Sequence, residues 1–562
     1  MHMNKPWLAS YPPGVPEEID PSRFASLVEL LEEGFARYPD RPAFVQMGRS
    51  LSYGQVDAQS RAFAAWLQKH AGVVKGTRVS IMLPNVLQYP VAMFGVLRAG
   101  GIVVNTNPLY THRELEHQLS DSGAEVIVIL ENFAHVLQDS LAGTQVKHVV
   151  VTSIGELLGF PKGNIVDYVL RHRRKAVPPW NIPSAVRFGE AVRMGRRSEL
   201  APVALGHDDL AFLQYTGGTT GVSKGAMLSH RNVVANVLQS AAWVASAFKE
   251  NEPQTLITPL PLYHIFALTG NCMLYALLGW RNVLITNPRD FPGFVQELKR
   301  ERFAYISGVN TLFNALLNTP GFDSVDFSHL KVTLGGGMAV QRSVAEHWKA
   351  VTGNVLTQAW GLTETSPAAC INPPGEDFNG SIGLPISSTE IGIFADDGTR
   401  LEIGDVGEIC VRGPQVMLGY YKRPDETAKV MLPDGWLRTG DIGRMNERGY
   451  VFIEDRKKDL IIVSGFNVYP NEVESVAASH PGVLEAAAVA QADEKSGEVV
   501  ALFVVRKDAN LTAEELIEFC RGELTGYKVP RHVYFRTELP KTNVGKILRR
   551  ALRDEAATAS PH

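Results

Sequence analysis

The chain has 562 residues, 45% of them apolar and 20% charged, with a formal net charge of -4. That length exceeds what one hydrophobic core usually serves, so two or more domains are expected. The near-neutral balance gives no case for a nucleic-acid binder, and four cysteines at 272, 370, 410 and 520 are too widely spaced for zinc-ligand pairs and fit free thiols in a reducing, cytoplasmic setting.

The N-terminal stretch "MHMNKPWLASYPPGVPEEID" lacks the apolar run of a signal peptide. Downstream, "RVSIMLPN" (78–85), "AEVIVIL" (124–130) and "VKHVVVT" (146–152) read as buried strands. Amphipathic segments lie between them. In "THRELEHQL", Thr111 and Glu114 stand three apart, the capping-box spacing that satisfies the first free amides of a helix. Alternating strands and helices predict α/β layers with largely parallel sheets.

The segment "VLRHRRKAVPPWNIPSAVRFGEAVRMGRR" sets eight cations between Arg171 and Arg197 against the single Glu190. A solvated connector explains it; Trp180 and Phe188 among the cations leave a contact with an anionic membrane surface as the second reading. Next, "DLAFLQYTGGTT" runs an apolar strand into a glycine loop, and "HRNVVANVLQSAAWVA" has helical spacing, so strand, loop and helix are expected in that order. "YTGGTTGVSKGAMLSH" does not keep the Walker A spacing, because the fifth residue after Gly217 is Val222 and after Gly218 is Ser223. It still carries the ingredients of a polyphosphate cradle: glycines that admit close backbone approach, hydroxyls at Thr216, Thr219, Thr220 and Ser223, and the cation Lys224.

"NCMLYALLGW" (271–280) is apolar but too short to span a bilayer and reads as a buried helix. From about 380 to 455 the texture changes to short segments joined at Asp-Gly and Gly-Asp pairs, which predicts a β-rich part. After the charged run "EDRKKD", helix and strand alternate again for about a hundred residues, a usual domain size. The expected division is 1–455 as a large N-terminal domain and 456–562 as a small α+β C-terminal one.

Four further stretches carry groups of chemical interest: "LGGGMAV" (334–340), "QAWGLTETSPA" with Glu364, "DGWLRTGDIG" with Asp441, and "PKTNVGKILRR" with Lys546. Each alone reads equally as a bend, a helix-start carboxylate, a turn or a surface cation. Together and in this order, over essentially the whole chain, they resemble the adenylate-forming, or acyl-activating, superfamily of acyl-CoA synthetases, luciferases and adenylation domains. "LPLYHIFALTGN", "GPQVMLGYYKRPDET", "DRKKDLIIVSGFNVYPNEVE" and "LTGYKVPRHV" look most like bacterial long-chain fatty acid:CoA ligases of β-oxidation.

That resemblance implies the fold of the superfamily, with a mobile C-terminal domain, and a two-step ligation. A fatty acid carboxylate attacks the α-phosphate of ATP to give acyl-adenylate and pyrophosphate, and CoA then displaces AMP. It implies that the loop of Thr216, Gly217, Gly218, Thr219, Thr220, Gly221, Ser223 and Lys224 holds the β- and γ-phosphates. Thr216 and Glu364 would help hold Mg²⁺, and Thr363 would contact the α-phosphate beside Gly361 and Leu362. Gly335, Gly336 and Gly337 would lie against the adenine with Trp360 as its wall, Asp441 would take the ribose hydroxyls with Arg456 assisting, and Lys546 would be the adenylation lysine. Trp360 stands where the family often has Tyr. Lys458 would be the hinge, and Ser464, Gly465 and Phe466 would line the CoA path after rotation. His264 is assigned to the wall of the acyl entrance and not to proton transfer. Val309, Leu312, Phe313, Leu316 and Leu317, at helical spacing, face either the core or an acyl tunnel. The implied partners are a long-chain fatty acid, ATP and CoA; a peripheral contact with anionic membrane and a homodimer stay open.

Overall fold

In the computed structural model the described residues are 5–216, 223–249, 251–493, 495–542 and 544–558. Two large sheets carry the first part of the chain. One runs, from edge to edge, Val186–Arg187, His148–Thr152, Val126–Leu130, Arg78–Met82, Ile102–Asn105, Leu210–Thr216 and Lys224–Ser229, all parallel until the last pair. The other places Tyr305–Gly308, Val332–Gly335 and Leu356–Gly361 side by side in parallel. The three apolar runs expected as buried strands are buried throughout their central residues, as a parallel sheet covered on both faces requires.

Helix Gln88–Arg98 is buried at every position. It packs between the sheets, with Phe94 6.5 Å from Phe44 of the second sheet, while its own chain direction returns it against Arg78–Met82 of the first. Buried on all sides, it has no solvent face to keep polar, and its polar ends are satisfied inside: Gln88 donates to Thr152 Oγ1 and the Ser153 carbonyl, and Arg98 pairs with Asp57. The Thr111–Glu114 capping box forms at His112–Ser122, and residues 268–278 are a buried helical segment, as their composition predicts. Among the described residues no helix is long and apolar enough to cross a membrane. All four cysteines are buried and free.

From Glu390 to Arg456 four antiparallel strands form a separate sheet, the expected β-rich part. Beyond it, a hydrophobic cluster of its own gathers Ile461, Val473, Ala486, Leu502, Leu516 and others. The long hairpin Val483–Asp493 with Gly497–Arg506 serves two cores: Ala486 and Ala488 enter that cluster, while Ala487 and Val489 join Phe503, Leu539 and Leu552 on the opposite face. Alternation with period two explains why this small-residue strand is buried on both sides.

One expectation changes. The glycine loop is not followed directly by its helix: Lys224–Ser229 is a strand antiparallel to Leu210–Thr216, with Thr216 opposite Lys224, and the helix begins at His230. The short, mostly buried run "KGAMLS" extends the sheet before the Ser229–Asn232 capping box starts the helix. Gly217, Gly218, Thr219, Thr220 and Gly221 lie outside the described residues. The basic segment keeps all eight of its cations exposed, as a solvated stretch does, but two of them also pair inward. Arg171 and Arg187 both close on the buried Glu131 carboxylate, at 2.8 and 3.0 Å, Phe188 is fully buried, and Trp180 packs with the Arg187 guanidinium over its ring. An otherwise isolated buried carboxylate needs those cations, so they are committed to the fold.

Candidate active site

The parallel strands of the second sheet end together at Gly308, Gly335 and Gln358, which are in register. Beyond their carboxyl ends lies a cavity of about 660 Å³. Open α/β sheets place ligands at that edge because the loops leaving the strands splay apart there. The cavity has a charged mouth, with Thr216, Lys224, Thr363, Glu364, Arg456 and Lys546, and an apolar arm walled by Trp243, Val244, Phe266, Leu274 and Ile371.

Glycine is required at the mouth for space. A Cβ on Gly336 would lie 3.0 Å from the Ala359 carbonyl and from the Phe266 ring, and one on Gly361 would collide with the Pro367 carbonyl. Gly337 has φ +78°, and a Cβ there would stand 3.3 Å from Cε of Lys546. The lysine stem therefore passes over bare backbone. Gly336, Gly337, Trp360, Gly361 and Leu362 all line the cavity; Gly335 is buried beneath it against Leu356 and Val340.

Lys546 sits on a turn closed by the Lys546 amide donating to Thr542 Oγ1 (3.0 Å) and the Thr542 amide donating to the Lys546 carbonyl (2.7 Å). Thr311 Oγ1 donates to the Gly545 carbonyl at 2.9 Å, and Asn314 Nδ2 to the Leu484 carbonyl at 2.9 Å. Burial lowers the Lys546 pKa to about 8, assisted by Arg456 and opposed by Asp441 and Glu364. It remains mostly a cation at neutral pH, in a place where little water screens it.

These contacts correct the reading of the helix Asn310–Leu317. Its polar face holds the C-terminal segment, and Phe313 is fully buried against Trp348, ring centroids 4.8 Å apart. Neither Val309 nor Phe313 lines the cavity. Helical spacing reported a core face, and core packing won over the tunnel.

Asp441 is 2% exposed. Its Oδ2 accepts the Trp360 indole N–H at 2.9 Å, and Oδ1 stands 3.1 Å from Arg456 Nε without an aligned hydrogen bond. A buried carboxylate oxygen in that condition has capacity left for a ligand hydroxyl. The Trp at this position keeps a polar handle, but on its nitrogen.

Glu364 lies on the turn Thr363–Thr365, and its Oε1 accepts the Tyr420 hydroxyl at 2.7 Å. The same Tyr420 ring lies under Lys224 Nζ, 4.9 Å from the centroid, and Lys224 is paired with Glu426 at 2.6 Å. The lysine pair, through hydrogen bonding from Lys224 and Lys429, pulls the Glu426 pKa down to about 2. Tyr420 thus joins the loop cation to the site carboxylate. Sequence reasoning missed both Tyr420 and Glu426, although "GYYKRPDET" holds them; nothing in the spacing said which loop they would meet. Among the described residues no group of three or more His, Cys, Asp or Glu is arranged to hold a metal. One carboxylate and the nearby Thr216 hydroxyl suit a cation such as Mg²⁺, which keeps phosphate oxygens and waters as its remaining ligands.

His264 begins a helical segment, with Nδ1 accepting the Phe266 amide at 3.3 Å. Burial and the neighbouring Lys546 lower its pKa to about 3, so the ring is neutral at pH 7. A neutral imidazole whose Nδ1 accepts carries its proton on Nε2.

Lys458 lines the cavity, its pKa lowered by burial. The chain around it is held by Arg549, which pairs with Glu474 at 2.8 Å and Asp459 at 3.5 Å. Ser464 and Gly465 both have positive φ and turn the hairpin from Ile461–Val463 to Phe466–Val468, the demand of a two-residue reversal. Neither they nor Phe466 line the cavity; Phe466 is half exposed and stacks on Tyr527 at 4.9 Å.

Comparison with known proteins agrees with this geometry. The model described as AMP-binding enzyme matches residues 31–421, and that described as AMP-binding enzyme C-terminal domain matches 472–546. A long-chain-fatty-acid–CoA ligase of Escherichia coli O157:H7 is 55% identical over 555 residues, 99% of each chain. The ATP-bound crystal structure of MatB from Rhodopseudomonas palustris superposes with a TM-score of 0.79 at 27% identity, covering 94% of this chain and 99% of that one. The anthranilate CoA ligase AuaEII, in complex with anthranoyl-AMP, shares the fold with a TM-score of 0.85 at 24% identity, over 96% and 99% of the two chains. Matched by the family model over most of its length and by a relative from end to end, the chain belongs to the AMP-binding enzymes.

Proposed function

We propose that the protein is an AMP-forming long-chain fatty acid:CoA ligase. The observation that carries this reading is that one cavity joins an apolar arm to a mouth containing Lys546, Glu364 and Lys224. Each CH₂ of a bound alkyl chain buried in such an arm gains about 0.8 kcal/mol, so the arm supplies affinity while the charged mouth does the chemistry.

In the first step a carboxylate oxygen attacks the α-phosphorus of ATP, the bond to the bridging oxygen breaks, and pyrophosphate leaves. Such a transfer is governed by positioning and charge neutralisation. Lys546 donates to the carboxylate and α-phosphate oxygens as negative charge shifts between them. Thr363 contacts the α-phosphate, the 216–224 loop with Lys224 holds the outer phosphates, and the Asp441–Trp360 pair takes the ribose and base. A bound Mg²⁺ would neutralise phosphate charge; Glu364 and Thr216 would hold it. The neutral His264 donates Nε2–H to the acyl carboxylate and removes no proton, which an already ionised acid does not require.

In the second step the CoA thiolate attacks the acyl carbonyl carbon, and AMP leaves with the electrons of the acyl–oxygen bond. We assign this step to another orientation of the segment after Lys458, taken as a domain of its own, which withdraws Lys546 and brings Ser464, Gly465 and Phe466 to the thiol path. Peripheral contact with anionic membrane belongs to the same proposal, since long-chain acids partition into bilayers.

The test is pyrophosphate release across a panel of acids, with and without CoA. Long-chain acids should give the highest kcat/KM, and acyl-CoA should form only when CoA is present. Preference for aryl or short acids would overturn the substrate assignment, and acyl-adenylate that never reaches CoA would overturn the ligase.

A further inference from the structure

With Phe188 buried and Arg171 and Arg187 paired to Glu131, the apolar side chains a membrane contact needs must come from elsewhere, and the structure offers them in the residues just before Arg171. Phe160 is 90% exposed, and Ile165, Tyr168 and Val169 are 59%, 56% and 36% exposed. These four lie within ten consecutive residues. Ile165, Tyr168 and Val169 share one face of the continuous helical run Lys162–Arg173, at i, i+3 and i+4, and His172 extends that face by packing on the Tyr168 ring at 4.8 Å.

The helix is not loosely attached with its apolar side merely turned the wrong way. Its inner face is fixed by Asp167, which accepts from Ser153 Oγ at 2.6 Å and from the Gly155 amide at 2.8 Å, and by Gly163, buried so closely on Gly155 that a Cβ there would overlap the Gly155 carbonyl. The protein therefore holds an amphipathic helix with its apolar stripe outward. Exposed cations flank that stripe: Lys162 at one end, and Arg173, Arg174 and Lys175 at the other. The acidic residue within the run, Asp167, is consumed by the inner contacts.

We propose that Phe160 and the outer face of Lys162–Arg173 form a docking surface for an anionic lipid bilayer. An apolar stripe with cations at both ends matches the layering of an interface: side chains enter the acyl boundary while the cations stay among the headgroup charges. A second copy of this chain would offer the same cations, which repel one another, so charge complementarity favours lipid over self-association. The proposal rests on the fatty-acid reading for its purpose only, because binding to vesicles is measured without any substrate.

The experiment is co-sedimentation of the full chain with phosphatidylglycerol-containing and pure phosphatidylcholine vesicles at low and high salt. The parent should bind the anionic vesicles and lose much of that binding as salt screens the cations. The triple variant Phe160→Ser, Ile165→Ser, Tyr168→Ser should lose at least tenfold in partitioning at any salt. The variant Arg173→Gln, Arg174→Gln, Lys175→Gln should lose chiefly the salt-sensitive part. Acid activation with a short, water-soluble acid and no vesicles should be unchanged in both variants, which shows that they fold and separates this surface from the catalytic reading. A parent that ignores anionic vesicles overturns the proposal. So does a serine variant that binds like the parent, or one that turns a dimer into a monomer while vesicle binding is unaltered.

Discussion

The indole N–H of Trp360 donates to Oδ2 of Asp441 at 2.9 Å, so the ring proposed to wall the nucleoside also fixes the carboxylate beside it. Trp360→Phe keeps an aromatic face and removes that donor. A hydrogen bond to a charged group is worth about 1.5–3 kcal/mol. The ATP KM should rise roughly ten- to a hundredfold while the acid KM changes little. Steady-state kinetics in each substrate checks this, and equal rises in both would mean that the pair supports the whole mouth and not the nucleotide.

The proposed role of Lys546 needs its charge, and that charge is lost early. Burial holds its pKa at about 8 in the free protein. A lysine is a cation below its pKa, so kcat/KM for adenylation should fall as pH rises through about 8, where an ordinary lysine would stay charged beyond pH 10. Pyrophosphate release without CoA isolates this step from ionisation of the thiol. Lys546→Arg, whatever its rate, should move the falling limb out of range. Lys546→Ala should suppress adenylation but allow supplied acyl-adenylate to react with CoA.

Tyr420 touches both Lys224 and Glu364, through different parts of its side chain. Tyr420→Phe retains the ring under the lysine and removes the hydroxyl, so Glu364 loses one partner. About tenfold more Mg²⁺ should then be needed for half-maximal adenylation, with little change in the KM of the acid. Tyr420→Leu removes both contacts and should in addition raise the ATP KM. A Mg²⁺ titration superposing on the parent's for both variants would show that the tyrosine only fills space.

Phe313→Ala tests the corrected position of the helix Asn310–Leu317. Truncating a buried phenylalanine costs about 3–5 kcal/mol. The variant should unfold at markedly lower urea concentration, yet show the parent's ranking of acids by chain length. A changed ranking would return Phe313 to the acyl wall.

Much of the fold could be read in the chain because its signals are local. The apolar runs of 78–82, 126–130 and 148–152 become parallel strands, and Thr111 with Glu114 caps the helix their spacing predicts. What could not be read depends on distant partners. Phe188 is buried against Phe63 and Arg171 is fixed by Glu131, partners dozens of residues away that no local pattern announces. Phe313 had the same apolar stripe whichever neighbour it met, and only Trp348 decides between core and tunnel. In the site, Lys546, Glu364 and Trp360 could be named from motif order, whereas Tyr420 and Glu426 acquire their place only when the loop that carries them folds back on Lys224.

The helix Asn310–Leu317 offers Thr311 and Asn314 to two backbone carbonyls of the C-terminal segment, Gly545 and Leu484. Neutral hydrogen bonds of this kind are worth about 0.5–1.5 kcal/mol each, so in the proposed rotation the two together would slow departure of the segment by roughly five- to 150-fold. Because both acceptors are main-chain oxygens, the clasp does not depend on which side chains the segment carries there, and under the proposed rotation its release time would be set by Thr311 and Asn314 with the chemistry of the cavity left as it is.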